Sequence, residues 1–235
     1  MSVRVEVGKL RTLRSVWVTN AVGIAASVGL GVLALNFVDE RKSALGDILS
    51  NAGLVGMFVT VVVAIQMANE YTHRTITTTF TLQPHRVRVI TAKALAAAAV
   101  GAVLALLFLA IGLVIALIWF GGDLPWSAGE LLRATVGGVV VSATMAVGGV
   151  AFGVLTRSAG GAVAAPIGMY VVVETLLGAF LRVYTEYGIS AMQLTVMHPF
   201  YEDTGYAYLP ALALNVAVAL VFFAVAAVAV RRVDV

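Results

Sequence analysis

Few residues in this chain have the types or spacing that catalytic chemistry demands. The three histidines, His73, His85 and His198, lie far apart and share no H-x-x-x-H or H-E-x-x-H spacing, which would bring two imidazoles to one helix face around a metal. Cysteine is absent, so neither a disulfide framework nor a thiolate site can form. Neither a nucleophile elbow nor a Ser-His-Asp order is visible. The single Gly-Lys pair, Gly8-Lys9, is followed by Leu10 and lacks the upstream glycine of a phosphate loop. Glu174, in GMYVVVETLLGAF, is the one acid well inside an apolar segment. A charge near a bilayer centre costs about 2.5–3.5 kcal/mol on insertion scales, so such a residue faces a partner or a cavity. It fits three roles: lining a substrate path, carrying a proton in a secondary transporter, or packing between helices as a neutral hydrogen-bonded acid. Pro166, eight residues earlier, removes an intrahelical donor and is a candidate kink.

The other concentration of chemical character is the stretch Asn69 to Lys93, a polar and basic interruption between two apolar segments. It combines Glu70 and Tyr71 with a threonine-rich run containing Thr75 and Thr77, then Pro84, Arg86, Arg88 and Lys93. Pro84 should terminate any helix formed by the threonine run. Glu70 stands where it can cap that short helix or pair with a nearby arginine. The plainer account is a positively charged loop whose threonines satisfy backbone groups.

The elements that position these residues follow from composition. Of 235 residues 61% are hydrophobic and 11% charged, with a mean hydropathy of +1.00, whereas soluble domains are about a quarter charged. So little polar surface cannot cover a water-facing globule, and the solvent must be lipid. Six apolar segments are legible, at about 16–37, 52–68, 93–120, 131–155, 160–181 and 209–230. Each is long enough for a helix and none alternates as a barrel strand would. The expected fold is all-α, a single transmembrane domain over 1–235. The first apolar run lacks a small-x-small exit site and should be retained as a span.

Lys and Arg distribution sets the expected orientation. With an inside N-terminus, 11 of the 15 basic residues fall on the cytoplasmic face, against Arg41, Lys42, Arg133 and Arg182 outside. Both termini are then cytoplasmic. The net charge of +3 reflects this topology; no basic face with interleaved aromatics points to nucleic acid. Before the first span, Val7, Leu10 and Leu13 repeat at helical spacing among basic residues, as an amphipathic helix over 1–15 at a lipid surface would. The loose alternative is a topology signal. The segment 182–208 carries six aromatics, among them Phe200 and Tyr201 beside Pro199, as an interfacial belt does. Polar groups within spans are Asn20, Ser27, Gln66, Ser142, Thr144 and Asn215; Gly149 and Gly153 form a close-packing GxxxG.

The pattern Glu70-Tyr71, Thr75, Leu82, Pro84, Arg86 and Lys93 resembles the loop after the second span of ABC-2-type transporter permeases, the membrane subunits of ATP-driven exporters. Six spans, the amphipathic N-terminus and a long segment before the last span fit the same family. The resemblance implies that 1–15 is an elbow helix and 69–92 a coupling segment contacting a separate ATP-binding subunit. Glu70, Tyr71, Thr75, Thr77 and Arg86 become the coupling residues. It also implies two permease copies and two ATPase copies, with ATP and Mg2+ held on the ATPase and no cofactor in this chain. The pathway candidates are Asn20, Ser27, Gln66 and Glu174. The segment 182–208 becomes an extracellular re-entrant gate around Pro199, Phe200 and Tyr201. The host membrane is a bacterial cell (inner) membrane and the cargo amphipathic or lipid-like. A proton- or ion-coupled transporter using Glu174 is the alternative.

Overall fold

A backbone crossing lipid must satisfy its own N–H and C=O groups, and long apolar runs without strand alternation do so as helices. The computed structural model describes residues 14–37, 41–83, 85–198 and 204–232. Among them all regular structure is helical. The elements are α1 (Arg14–Ala34), α2 (Arg41–Ser50), α3 (Ala52–Thr72), α4 (Thr75–Leu82), α5 (Arg86–Trp119) and α6 (Ala128–Thr156). They continue with α7 (Ala159–Phe180), α8 (Arg182–Tyr187), α9 (Ile189–Met197) and α10 (Tyr208–Arg232).

Among the described residues five helical runs are long and apolar enough to cross a membrane: Arg41–Thr72, Arg86–Trp119, Ala128–Thr156, Ala159–Phe180 and Tyr208–Arg232. The apolar part of α1, Trp17–Leu33, is shorter. The expected amphipathic helix over 1–15 lies outside the described residues up to position 13. α2 is an addition to the sequence reading, which starts the second segment at Ala52. Its sequence RKSALGDILS is polar on average, yet Ala44, Leu45, Ile48 and Leu49 form one buried face. Arg41, at its start, donates to the carbonyls of Phe120 (3.1 Å) and Asp123 (3.0 Å). Trp126 Nε1 donates to Lys42 O at 3.0 Å, so α2 is pinned to the α5–α6 connection.

α6 is the hub, packing against α3, α5, α7, α9 and α10. Its start is fixed by a capping box, in which Glu130 Oε2 accepts from Ser127 N at 2.7 Å and Ser127 Oγ accepts from Glu130 N. Small residues bring its backbone close to α3. A Cβ on Gly149 would stand 2.5 Å from Thr60 O, and one on Gly153 would stand 2.6 Å from Ala64 O. The GxxxG is therefore an intramolecular seam between α3 and α6. Thr60 Oγ1 donates to Met145 O (2.8 Å) and Ser142 Oγ to Ala52 O (3.1 Å), fixing the register of that seam. Large exposed apolar residues on α5, α7 and α10, such as Val103, Leu176 and Leu220, face outward as lipid requires.

Candidate functional site

Two clusters of functional character form at opposite ends of the bundle. At one end α3 stops at Thr72, and Arg74 turns the chain through a left-handed conformation (φ 56°) into α4. The eight residues of α4 lay Ile76 and Phe80, one turn apart, against the bundle and leave Thr75, Thr78 and Thr81 exposed. Its threonine hydroxyls are partly spent on their own helix: Thr79 donates to Thr75 O (3.1 Å) and Thr81 to Thr77 O (2.9 Å). Thr75 Oγ1 donates back to Glu70 O at 3.3 Å. The helix ends at Leu82, and Gln83 is extended (φ −136°, ψ 92°), as the residue before a proline must be. Pro84 itself lies outside the described residues.

Beneath α4 the flanking helices are clasped together. Lys93 Nζ meets Glu70 Oε1 at 2.6 Å, with the lysine side chain 8% and the glutamate 21% exposed. Glu70 thus pairs with a lysine two turns inside α5, where α3 and α5 run side by side. Two cations frame the clasp. The Arg157 guanidinium lies 5.5 Å from the Tyr71 ring centre, joining α3 to the end of α6. That of Arg86 lies 5.4 Å from the Phe80 ring and makes a long 3.5 Å contact to Val230 O of α10. Of the expected coupling residues, Glu70, Tyr71 and Arg86 therefore converge under α4, while Thr75 and Thr77 stand on it. Sequence reasoning overlooked the participation of Arg157 and of Val230, both far away in the chain.

At the other end, α7 changes to π-helical winding over Gly168–Val173, and Glu174 follows immediately. Glu174 is 7% exposed and six residues from the end of α7, about 9 Å along its axis and so not central in the span. The Tyr184 hydroxyl of α8 donates to its Oε1. Ser190, in the first turn of α9, donates to Oε2 through both its N–H (3.0 Å) and its Oγ–H (2.5 Å). The Tyr184 phenol is pushed up to about 12, first by burial and then by this bond, and stays a donor at neutral pH. These donors are uncharged, and they hold Glu174 packed between α7, α8 and α9. α9 ends at Met197, with His198 extended before Pro199. Pro199, Phe200 and Tyr201 lie outside the described residues.

The four pathway candidates are not brought together. Ser27 is buried on α1 and donates to Gly23 O of its own helix at 2.8 Å, and Asn20 is buried on the same helix. Gln66 is half-buried on α3, six residues from the α4 end, whereas Glu174 is near the opposite end. Asn215 instead meets Thr144 at 3.3 Å across the α6–α10 contact. Among the described residues no group of acids and histidines could hold a metal ion.

Comparison with known proteins finds no family model, no curated protein and no solved structure that matches the chain.

Proposed function

We propose that this chain is the membrane permease subunit of an ATP-driven exporter of the ABC-2 type. In this reading α1 is a sixth span, both termini are cytoplasmic, and the protein sits in a bacterial cell (inner) membrane. Two copies work with two copies of a separate ATP-binding subunit, which holds ATP and Mg2+. The cargo, moved outward, is amphipathic or lipid-like.

The observation that supports this most is the short helix α4, strung between two spans that are clasped at its base. A surface loop would not need a part-buried Glu70–Lys93 pair beneath it, with Tyr71–Arg157 and Phe80–Arg86 tying the same point to α6 and α10. Push on the exposed threonine face of α4 and the load passes to α3, α5, α6 and α10 together. That is what a transmission element requires. The position of Glu174, held by neutral donors at one end of its span, supports a structural use of that acid over proton carriage.

The test uses the cysteine-free background. Thr78→Cys places one thiol on the exposed face of α4, and a short bifunctional reagent is applied to native host membranes. The expected adduct contains a protein bearing a phosphate-loop motif. Adducts that never contain one would contradict the proposal.

A further inference from the structure

The geometry points to Glu174 as the latch of the helical hairpin α8–α9: its carboxylate caps α9 from a neighbouring span and holds α8 against α7.

A helix begins with N–H groups that have no intrahelical partner, and usually a side chain at the N-cap accepts from them. α9 begins after Gly188, which has no side chain to offer. Any Cβ at that position would stand 2.5 Å from Tyr184 O, so the tight corner itself excludes the usual capping residues. Glu174 fills the role in trans, accepting from the N–H of Ser190 at 3.0 Å. Two further bonds come from the hydroxyls of Ser190 and Tyr184. A buried acid in a span is thereby explained without a bound cation.

The two arms of the hairpin are held differently. The end of α9 is wedged into the scaffold: a Cβ on Gly137 would lie 1.9 Å from Val196 O, and one on Gly46 would lie 2.1 Å from the His198 ring. α8 is wedged only at its last residue, where a Cβ on Gly205 would lie 2.2 Å from the Tyr187 ring. It is a six-residue helix between two extended residues, Leu181 (φ −124°, ψ 99°) and Gly188 (φ −74°, ψ 176°). Beyond Glu174, its end is tied to the chain entering α10, through Gly205 N–H to Glu186 O and Tyr206 Oη–H to Tyr187 O. Releasing Glu174 therefore loosens the attachment of α8 to α7, with its far end still tied to Gly205 and Tyr206, while α9 stays docked. The loosened segment lines a groove of about 360 Å³ along Phe180–Tyr184 and Tyr187. That this groove serves as the outward exit of an exporter rests on the permease reading; the latch itself does not.

Hydrogen–deuterium exchange on the full chain in lipid nanodiscs tests the latch without any transport assay. Glu174→Ala removes all three bonds, while Tyr184→Phe and Ser190→Ala each remove one and leave the helices intact. Losing hydrogen bonds to a carboxylate predicts exchange across 182–190 faster by roughly tenfold or more in Glu174→Ala, with a smaller rise in Tyr184→Phe. Exchange in α3 and α6 should stay at the parent level. Unchanged exchange over 182–190 in all three variants would overturn the latch. So would acceleration spread equally over α3 and α6, which would mark Glu174 as a general packing residue. If Glu174→Ala does not insert, the Tyr184→Phe and Ser190→Ala comparison decides alone. Neither outcome bears on whether an ATPase docks at α4, so the two proposals fail separately.

Discussion

Replacing Lys93 by Met keeps the length and apolar stem of the side chain and removes its charge. In the parent protein the ammonium stands 2.6 Å from Glu70 Oε1 with 8% of the lysine side chain exposed. At an effective dielectric constant of about 20 this separation gives a Coulomb attraction of roughly 6 kcal/mol. Desolvating both groups offsets much of that gain, and deleting one partner of a buried pair costs about 3–5 kcal/mol. Glu70 is 21% exposed, so water softens the loss and the lower figure, about 3 kcal/mol, is expected for Lys93→Met. Glu70→Gln should cost somewhat less, because an amide still accepts a hydrogen bond. The double variant should cost less than the sum, with a coupling energy of about 1.5 kcal/mol or more. The assay is reversible unfolding in mixed micelles on titration with a denaturing detergent, followed by tryptophan fluorescence. Additive single effects would refute the claim that these two residues act as one clasp.

Further outcomes follow from other parts of the bundle. Gly137→Leu should expel the end of α9, because even a Cβ at Gly137 collides with Val196 O; a loss of about 1–3 kcal/mol in the same titration is expected. Thr60→Val should be mild despite the bond to Met145 O, since interhelical hydrogen bonds in membranes average about 0.6 kcal/mol; a loss above about 2 kcal/mol would contradict that reading of the α3–α6 seam. Thr79→Pro removes an intrahelical donor in the middle of α4 and should leave insertion intact. In the purified assembly it should abolish the dependence of ATP hydrolysis on the permease, and normal coupling in that variant would count against α4 as transmitter.

Much of the architecture was legible because lipid imposes so strong a rule. Runs of apolar residues at 93–120, 131–155, 160–181 and 209–230 coincide closely with α5, α6, α7 and α10. Pro84 marked the end of α4, and Pro199 follows directly on the extended His198 at the end of α9. α2 was missed, because its charged start and Asp47 mask a buried face that shows only as the spacing of Leu45, Ile48 and Leu49. The membership of the 69–93 cluster was partly visible, since Glu70 and Arg86 are charges at span ends. Their partners were not: Lys93, Arg157 and Val230 meet them through packing of α3, α5, α6 and α10, which no local pattern encodes. The environment of Glu174 was hidden for a similar reason. Its donors lie 10 and 16 residues onward, across the breaks at Leu181 and Gly188.

The central claim is that this chain is driven from its α4 end by a separate ATPase. The direct measurement is mild-detergent purification of the tagged chain from its own host, followed by native mass analysis. The account predicts an assembly of two copies of this chain with two copies of an ATP-binding subunit, lost on deleting 75–82. Recovery of the chain without any nucleotide-binding partner, repeated in lipid nanodiscs, would contradict it.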